Sequence, residues 1–146
     1  MLPLVSELPN TVTLKKAAEL LHFKNFTELS DSLLKAKTGQ YLLKDFDEST
    51  TLVIKKRLLH VYSEAYRAHI VRQLLEKAPV DDDDYLLKVQ MLADAIEDSH
   101  QSCRDDYECS CTELNECIKA AMSAGCFAGR LTGAGMGGYA VGLVHV

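Results

Sequence analysis

Apolar positions recur at helical spacing through most of the chain and switch to strand-like alternation only near its C-terminus. Residues 10–22 place Leu14, Ala17, Ala18 and Leu21 on one helical face, with Asn10, Thr11 or Thr13 available as the cap. Asn25 followed by Glu28 has the form of a capping box opening a second short helix that presents Phe26, Leu29 and Leu33. The two predict a helical hairpin over about residues 10–36. A polar, turn-rich connector at 39–49 leads to a stretch without glycine or proline, in which Ile54, Leu58, Val61, Ala65 and Ala68 recur at steps of three and four. This predicts a long helix over about 51–78, closed by Pro79.

Asp81 to Asp84 form an acidic start that suits the positive end of a helix over about 84–103, whose stripe is Tyr85, Val89, Leu92 and Ile96. Arg104-Asp105-Asp106 interrupts it. Ser110 and Glu113 predict another capping box, opening a helix over about 111–124 with Leu114, Cys117, Ile118 and Ala121 on its apolar face and Gly125 as its stop. Residues 126–145 read as a β-hairpin around a glycine-rich loop: Phe127, Gly129 and Leu131 alternate on one strand, Tyr139, Val141 and Leu143 on the other. The fold class expected is α+β, one domain over residues 1–146 with helices packed on a small antiparallel sheet. A lone hairpin is marginal in water, so further strands are expected from residues 2–8 or 39–48.

Composition narrows the partners. The chain has 146 residues, enough for one ordinary domain, and a formal charge of −5 without a basic run, which argues against nucleic acid or an anionic membrane surface. No apolar stretch reaches membrane-spanning length, and the N-terminus lacks the basic and apolar regions of a signal peptide, so the cytoplasm is the expected compartment. All five cysteines lie between Cys103 and Cys126, an odd number that favours reduced thiols over a disulfide framework. Cys109-x-Cys111 is not a knuckle spacing, so a zinc site is the weaker reading, and Cys117 fits a buried helix face.

The segment Thr132-Gly133-Ala134-Gly135-Met136-Gly137-Gly138 is the candidate binding element. Glycine permits positive φ and close approach, so successive backbone N–H groups can converge on an anion. Gly133-x-Gly135-x-x-Gly138 also satisfies the dinucleotide-binding pattern, but a strand rather than a helix follows, and no acidic residue lies downstream. A protein-kinase glycine loop would need a lysine on a later strand, and none follows Lys119. A tight hairpin turn without ligand is the competing reading. Elsewhere, His60 and Glu64 sit four apart and read as an intrahelical polar contact, ahead of a metal or acid–base pair. Arg104 with the following aspartates reads as a salt-bridged helix end, and Arg130 as a structural ion pair ahead of a phosphate contact.

Three ordered motifs resemble the galactokinases, of the GHMP small-molecule kinase superfamily, on the eukaryotic branch that includes N-acetylgalactosamine kinase. They are the helix segment Lys56-Arg57-Leu58-Leu59-His60-Val61-Tyr62-Ser63-Glu64-Ala65, the stretch from Ser99 to Leu114, and the loop from Gly129 to Gly138. The likeness covers about residue 50 onward and, more weakly, the helices before it. It implies a GHMP C-terminal domain trimmed at both ends, from an ATP-dependent sugar 1-kinase acting on galactose or N-acetylgalactosamine. Residues 132–138 are similar to the superfamily's third motif, beside the nucleotide phosphates. No catalytic residue is assigned here. The sugar-binding motif, the main phosphate loop, the catalytic aspartate and the magnesium ligands would belong to an N-terminal kinase half, the expected partner, and the fragment alone would be inactive. Met136 stands for the usual aromatic, Thr112 for proline, and Tyr139 for cysteine, where a ring could crowd the loop. A sugar- and ATP-binding sensor that regulates transcription, or a non-catalytic remnant, are the alternatives.

Overall fold

The computed structural model describes residues 5, 7–35 and 46–145, which fall into two compact units, Met1–Lys56 and Arg57–Val146. The first unit holds strand β1 (Thr11–Thr13), helices α1 (Leu14–Leu20) and α2 (Phe26–Lys35), and strand β2 (Thr51–Val53). β1 and β2 pair antiparallel, Val12 opposite Leu52. Both were expected inside helices. Thr-Val-Thr and Thr-Leu-Val are rich in β-branched residues, but three positions are too few for alternation to compete with the helical period beside them. The pairing continues beyond the ladder, with Leu14 N donating to Thr50 O at 2.9 Å and Ile54 N to Asn10 O at 3.1 Å.

Thr13 is the cap of α1, its hydroxyl accepting from Lys16 N at 3.2 Å, and Leu14 and Ala18 are the buried residues of that helix while Leu21 is exposed. At α2, Asn25 Oδ1 accepts from Glu28 N at 2.9 Å, but the Glu28 carboxylate closes on Lys24 N rather than on the cap itself. Residues 2–4 and 36–45, where most of the further strands were expected, lie outside the described residues.

The second unit contains most of helix α3 (Ile54–Glu76), then α4 (Asp82–Ser102), a π-helical turn (Cys103–Tyr107), α5 (Thr112–Ser123), and strands β3 (Ala128–Thr132) and β4 (Tyr139–Leu143). Asp81 caps α4 by accepting from Asp84 N at 2.8 Å, and Asp84 returns its carboxylate to Val80 N at 3.0 Å. α5 ends in a Schellman motif: Gly125 takes φ +98°, Cys126 N donates to Ala121 O and Gly125 N to Met122 O, both at 3.1 Å. That reversal feeds β3 directly back beneath α4 and α5, which pack against it. β3 and β4 pair antiparallel, Arg130 opposite Val141, with no third strand among the described residues.

Several side-chain expectations are corrected. No residue of α3 is fully buried; Val61, Ala65 and Ala68 of its expected apolar stripe are exposed, Ile54 and Leu58 are half-buried, and Arg57, His60, Ser63, Glu64 and Arg67 are half-buried alongside Leu59, Ile70, Val71 and Leu74. The polar members of that half-buried set find partners of matching chemistry on α4, His60 at Ser102 and Glu64 at Ser99. On α5, Leu114 and Ile118 are buried but Cys117 and Ala121 are exposed. Ser110 does not cap α5; Cys111 holds that position, and the Ser110 hydroxyl donates to Asn115 Oδ1 at 2.7 Å. β3 is buried on both faces over Ala128, Gly129 and Leu131 rather than alternating, since a Cβ on Gly129 would stand 3.1 Å from Ile118 Cγ2. No helix among the described residues is long and apolar enough to cross a membrane.

Candidate functional site

The glycine loop spans residues 133–138 between β3 and β4, and five of its six residues take positive φ: Gly133, Gly135, Gly137, Gly138 and Met136. A run of positive φ is the backbone conformation that glycine permits and that anion-binding loops draw on. Met136 is the only one paying a side-chain penalty, at φ +58°, and its side chain stands 77% exposed. Tyr139 is 80% exposed, so its ring does not crowd the loop as the sequence suggested.

The closest approach made possible by glycine is to the protein itself. Met136 N donates to Cys109 O at 2.6 Å, and a Cβ built on Gly135 would run into that same carbonyl. A Cβ on Gly133, Gly137 or Gly138 would meet open space. Gly135, expected from sequence to leave room for phosphate, is therefore committed to seating the loop on the end of the π turn.

That seat is fixed from below by two polar networks. In the first, Ser102 Oγ donates to Asp106 Oδ2 at 3.1 Å, so His60 Nδ1, 3.0 Å from the same hydroxyl, is the donor to it. The His60 ring lies 4.8 Å from the Tyr107 ring, Arg57 stacks its guanidinium over Tyr107, and Arg57 also donates to Asp106 O and pairs with Glu108 at 2.7 Å. In the second, Ser99 Oγ donates to Glu64 Oε2 at 2.7 Å and accepts from Arg130 NH1 at 2.6 Å, while Arg67 NH1 holds Glu64 Oε1 at 2.7 Å. Arg130 NH1 also lies 3.4 Å from Glu64 Oε2 and Arg130 Nε donates to Leu131 O at 2.9 Å. Arg130 thus adopts the structural ion pair, whereas His60 and Glu64 each bond across to α4 rather than to one another. Arg104 pairs with Asp105 at 2.8 Å.

His100 is buried on α4 against β3, its Nδ1 accepting from Leu131 N at 3.4 Å. Burial holds its pKa below the usual histidine value, helped by the Arg104 and Arg130 charges and opposed by Asn115 and Asp105. Burial also pushes the Cys103 thiol up to about 11, with Cys109 beside it contributing. A cavity of about 610 Å³ opens between α4 and α5, lined by Glu97, His100, Arg104, Asn115 and Lys119 among others, but no loop residue borders it. Among the described residues no three His, Cys, Asp or Glu side chains are grouped to hold a metal ion.

Sequence reasoning missed Cys109, Ser99, Ser102 and His100 as supports. Cys109 acts through its carbonyl, which carries no residue signal. The serines had one: Ser99 and Ser102 sit three apart on one helical face, as His60 and Glu64 sit four apart on theirs.

The GHMP kinases C terminal family matches residues 85–145, which take in all but the first turn of α4, and the whole of α5 and the hairpin. Curated relatives narrow the class. The chain is 36% identical over 107 residues to a galactokinase of Saccharomyces cerevisiae, covering 73% of this chain and 20% of that protein. It is 29% identical over 149 residues to a galactokinase of Bacillus subtilis (94% and 36%), and 31% over 122 residues to one of Homo sapiens (81% and 29%). With a GHMP kinase C-terminal domain so matched, the chain belongs to the galactokinase family, of which it spans the C-terminal part. It spans between a fifth and about a third of the length of these relatives.

Proposed function

We propose that this chain supplies the C-terminal part of an ATP-dependent sugar 1-kinase for galactose or N-acetylgalactosamine, with residues 132–138 on the nucleotide side of the cleft. The observation that carries this is the run of positive φ at Gly133, Gly135, Met136, Gly137 and Gly138 in a loop anchored at one point, Gly135–Met136 on Cys109. The loop N–H groups other than that of Met136, which is held by Cys109, are backbone donors of the kind that suits phosphate oxygens. ATP supplies the phosphoryl group; this chain's share is to hold its phosphates and screen them from water. Magnesium, the catalytic base and the sugar contacts are assigned to the N-terminal kinase half, the partner of this domain.

Two measurements test the reading. The chain alone, given ATP, magnesium and either sugar, yields no sugar-dependent ADP above a heat-killed control; release above that control refutes the division of labour. In a chain joined to an N-terminal galactokinase half, Gly137→Val fills open space beside the loop. It raises KM for ATP while leaving KM for the sugar unchanged. An unchanged KM for ATP refutes the phosphate role.

A further inference from the structure

Cys103 opens the π turn and Cys109 lies two residues past its end; both are buried and belong to one apolar cluster with Leu114 and Leu131. Cys109 N donates to Cys103 O at 3.0 Å, a tether that brings the two backbones together, as a disulfide needs. The two side chains share that cluster, and Cys111 packs on it from outside. Nothing in the kinase reading uses either sulfur. Cys109 is also the residue whose carbonyl seats Gly135 and Met136, so the geometry of one sulfur pair and of the glycine loop are fixed by the same peptide unit.

We propose that Cys103 and Cys109 form a reversible dithiol–disulfide site, oxidised by hydrogen peroxide, that unseats the glycine loop when closed. One thiol takes the peroxide oxygen as a sulfenic acid with release of water; the other sulfur displaces that hydroxyl, forming the S–S bond and releasing a second water. A dithiol reductant returns both protons and electrons. Closing the bond reorients the Cys109 side chain and its peptide unit and turns its carbonyl away from Met136 N. Burial lifts the Cys103 thiol to about 11, which makes the first step slow at neutral pH and leaves the pair reduced without a dedicated oxidant. This inference does not depend on the kinase activity.

The test uses the chain as given, treated with hydrogen peroxide, then alkylated and digested with trypsin. Cleavage after Lys88, Arg104 and Lys119 puts the two cysteines on separate peptides, so the disulfide appears as a linked pair of 89–104 with 105–119, lighter by two hydrogens than the sum of the reduced peptides. The link persists in Cys111→Ser and in Cys117→Ser and is lost in Cys109→Ser, or in Cys109→Val should serine in the apolar cluster prevent folding. Amide exchange over residues 132–138 becomes about tenfold faster on oxidation and recovers with dithiothreitol. A link that survives Cys109 replacement, a Cys103 that stays fully alkylatable after peroxide, or loop exchange that ignores the link would each overturn the proposal.

Discussion

Replacing Gly135 by alanine separates two reasons for a glycine that are usually inseparable. At φ +77° any Cβ is disfavoured, by about 1–2 kcal/mol, and Gly133 at φ +83° bears the same penalty. Only at Gly135 does the added carbon also strike the Cys109 carbonyl; at Gly133 it meets open space. Relieving that overlap moves the loop off its seat and removes the Met136–Cys109 hydrogen bond, worth about 1 kcal/mol. Gly135→Ala should therefore cost about 2–3 kcal/mol of loop opening and Gly133→Ala about 1–2 kcal/mol. Hydrogen exchange on peptic peptides covering residues 130–140 reads this directly, because the Met136 amide is the protected group. It should exchange five- to tenfold faster in Gly135→Ala than in Gly133→Ala, within the roughly tenfold per 1.4 kcal/mol relation. Equal effects at the two positions would show that the contact with Cys109 holds nothing, and that the loop is a free turn.

Ser99→Ala removes a hydroxyl bonded to both Glu64 and Arg130, and should destabilise the second unit by about 2–3 kcal/mol in urea unfolding, whereas an effect below about 0.5 kcal/mol would dismiss the network. His100 has a folded pKa below its unfolded value of 6.5, so its contribution is intact above pH 6.5 and is lost as pH falls through that value toward the lower folded pKa. Unfolding midpoints measured between pH 7.5 and 5 should fall, and the slope should flatten in His100→Gln; an identical slope in the variant would assign the titration elsewhere.

The helices of the second unit and the glycine hairpin were legible because each carries a long period or an unmistakable composition. Gly125 and Asp81 act through backbone bonds that their residue types advertise. What could not be read were features in which residue type and role part company. Thr11–Thr13 and Thr51–Val53 are strands only because they find each other across the first unit, and neither declares itself alone. The apolar positions of α3 outnumber its polar ones along the expected stripe, yet His60 and Glu64 turn inward because Ser102 and Ser99 can each accept or donate there. The glycine loop was visible from its composition, while its anchor at Cys109 is a carbonyl that any residue could have presented.

The π turn at Cys103–Tyr107 carries one residue more than an α-helical turn of the same height, which rotates everything after it by about 100° relative to a continuous helix. Tyr107 meets His60, and the Cys109 carbonyl meets Met136, only in that rotated frame. Arg104 and Asp105 are exposed and bonded to each other, so by the ordinary measures of tolerance they could be exchanged freely. Their number is another matter. At Arg104 and Asp105, then, identity is loosely held while length is strictly counted, so those two positions should drift in substitutions across a family while the stretch refuses every deletion, and sequence variability alone would mistake them for dispensable surface.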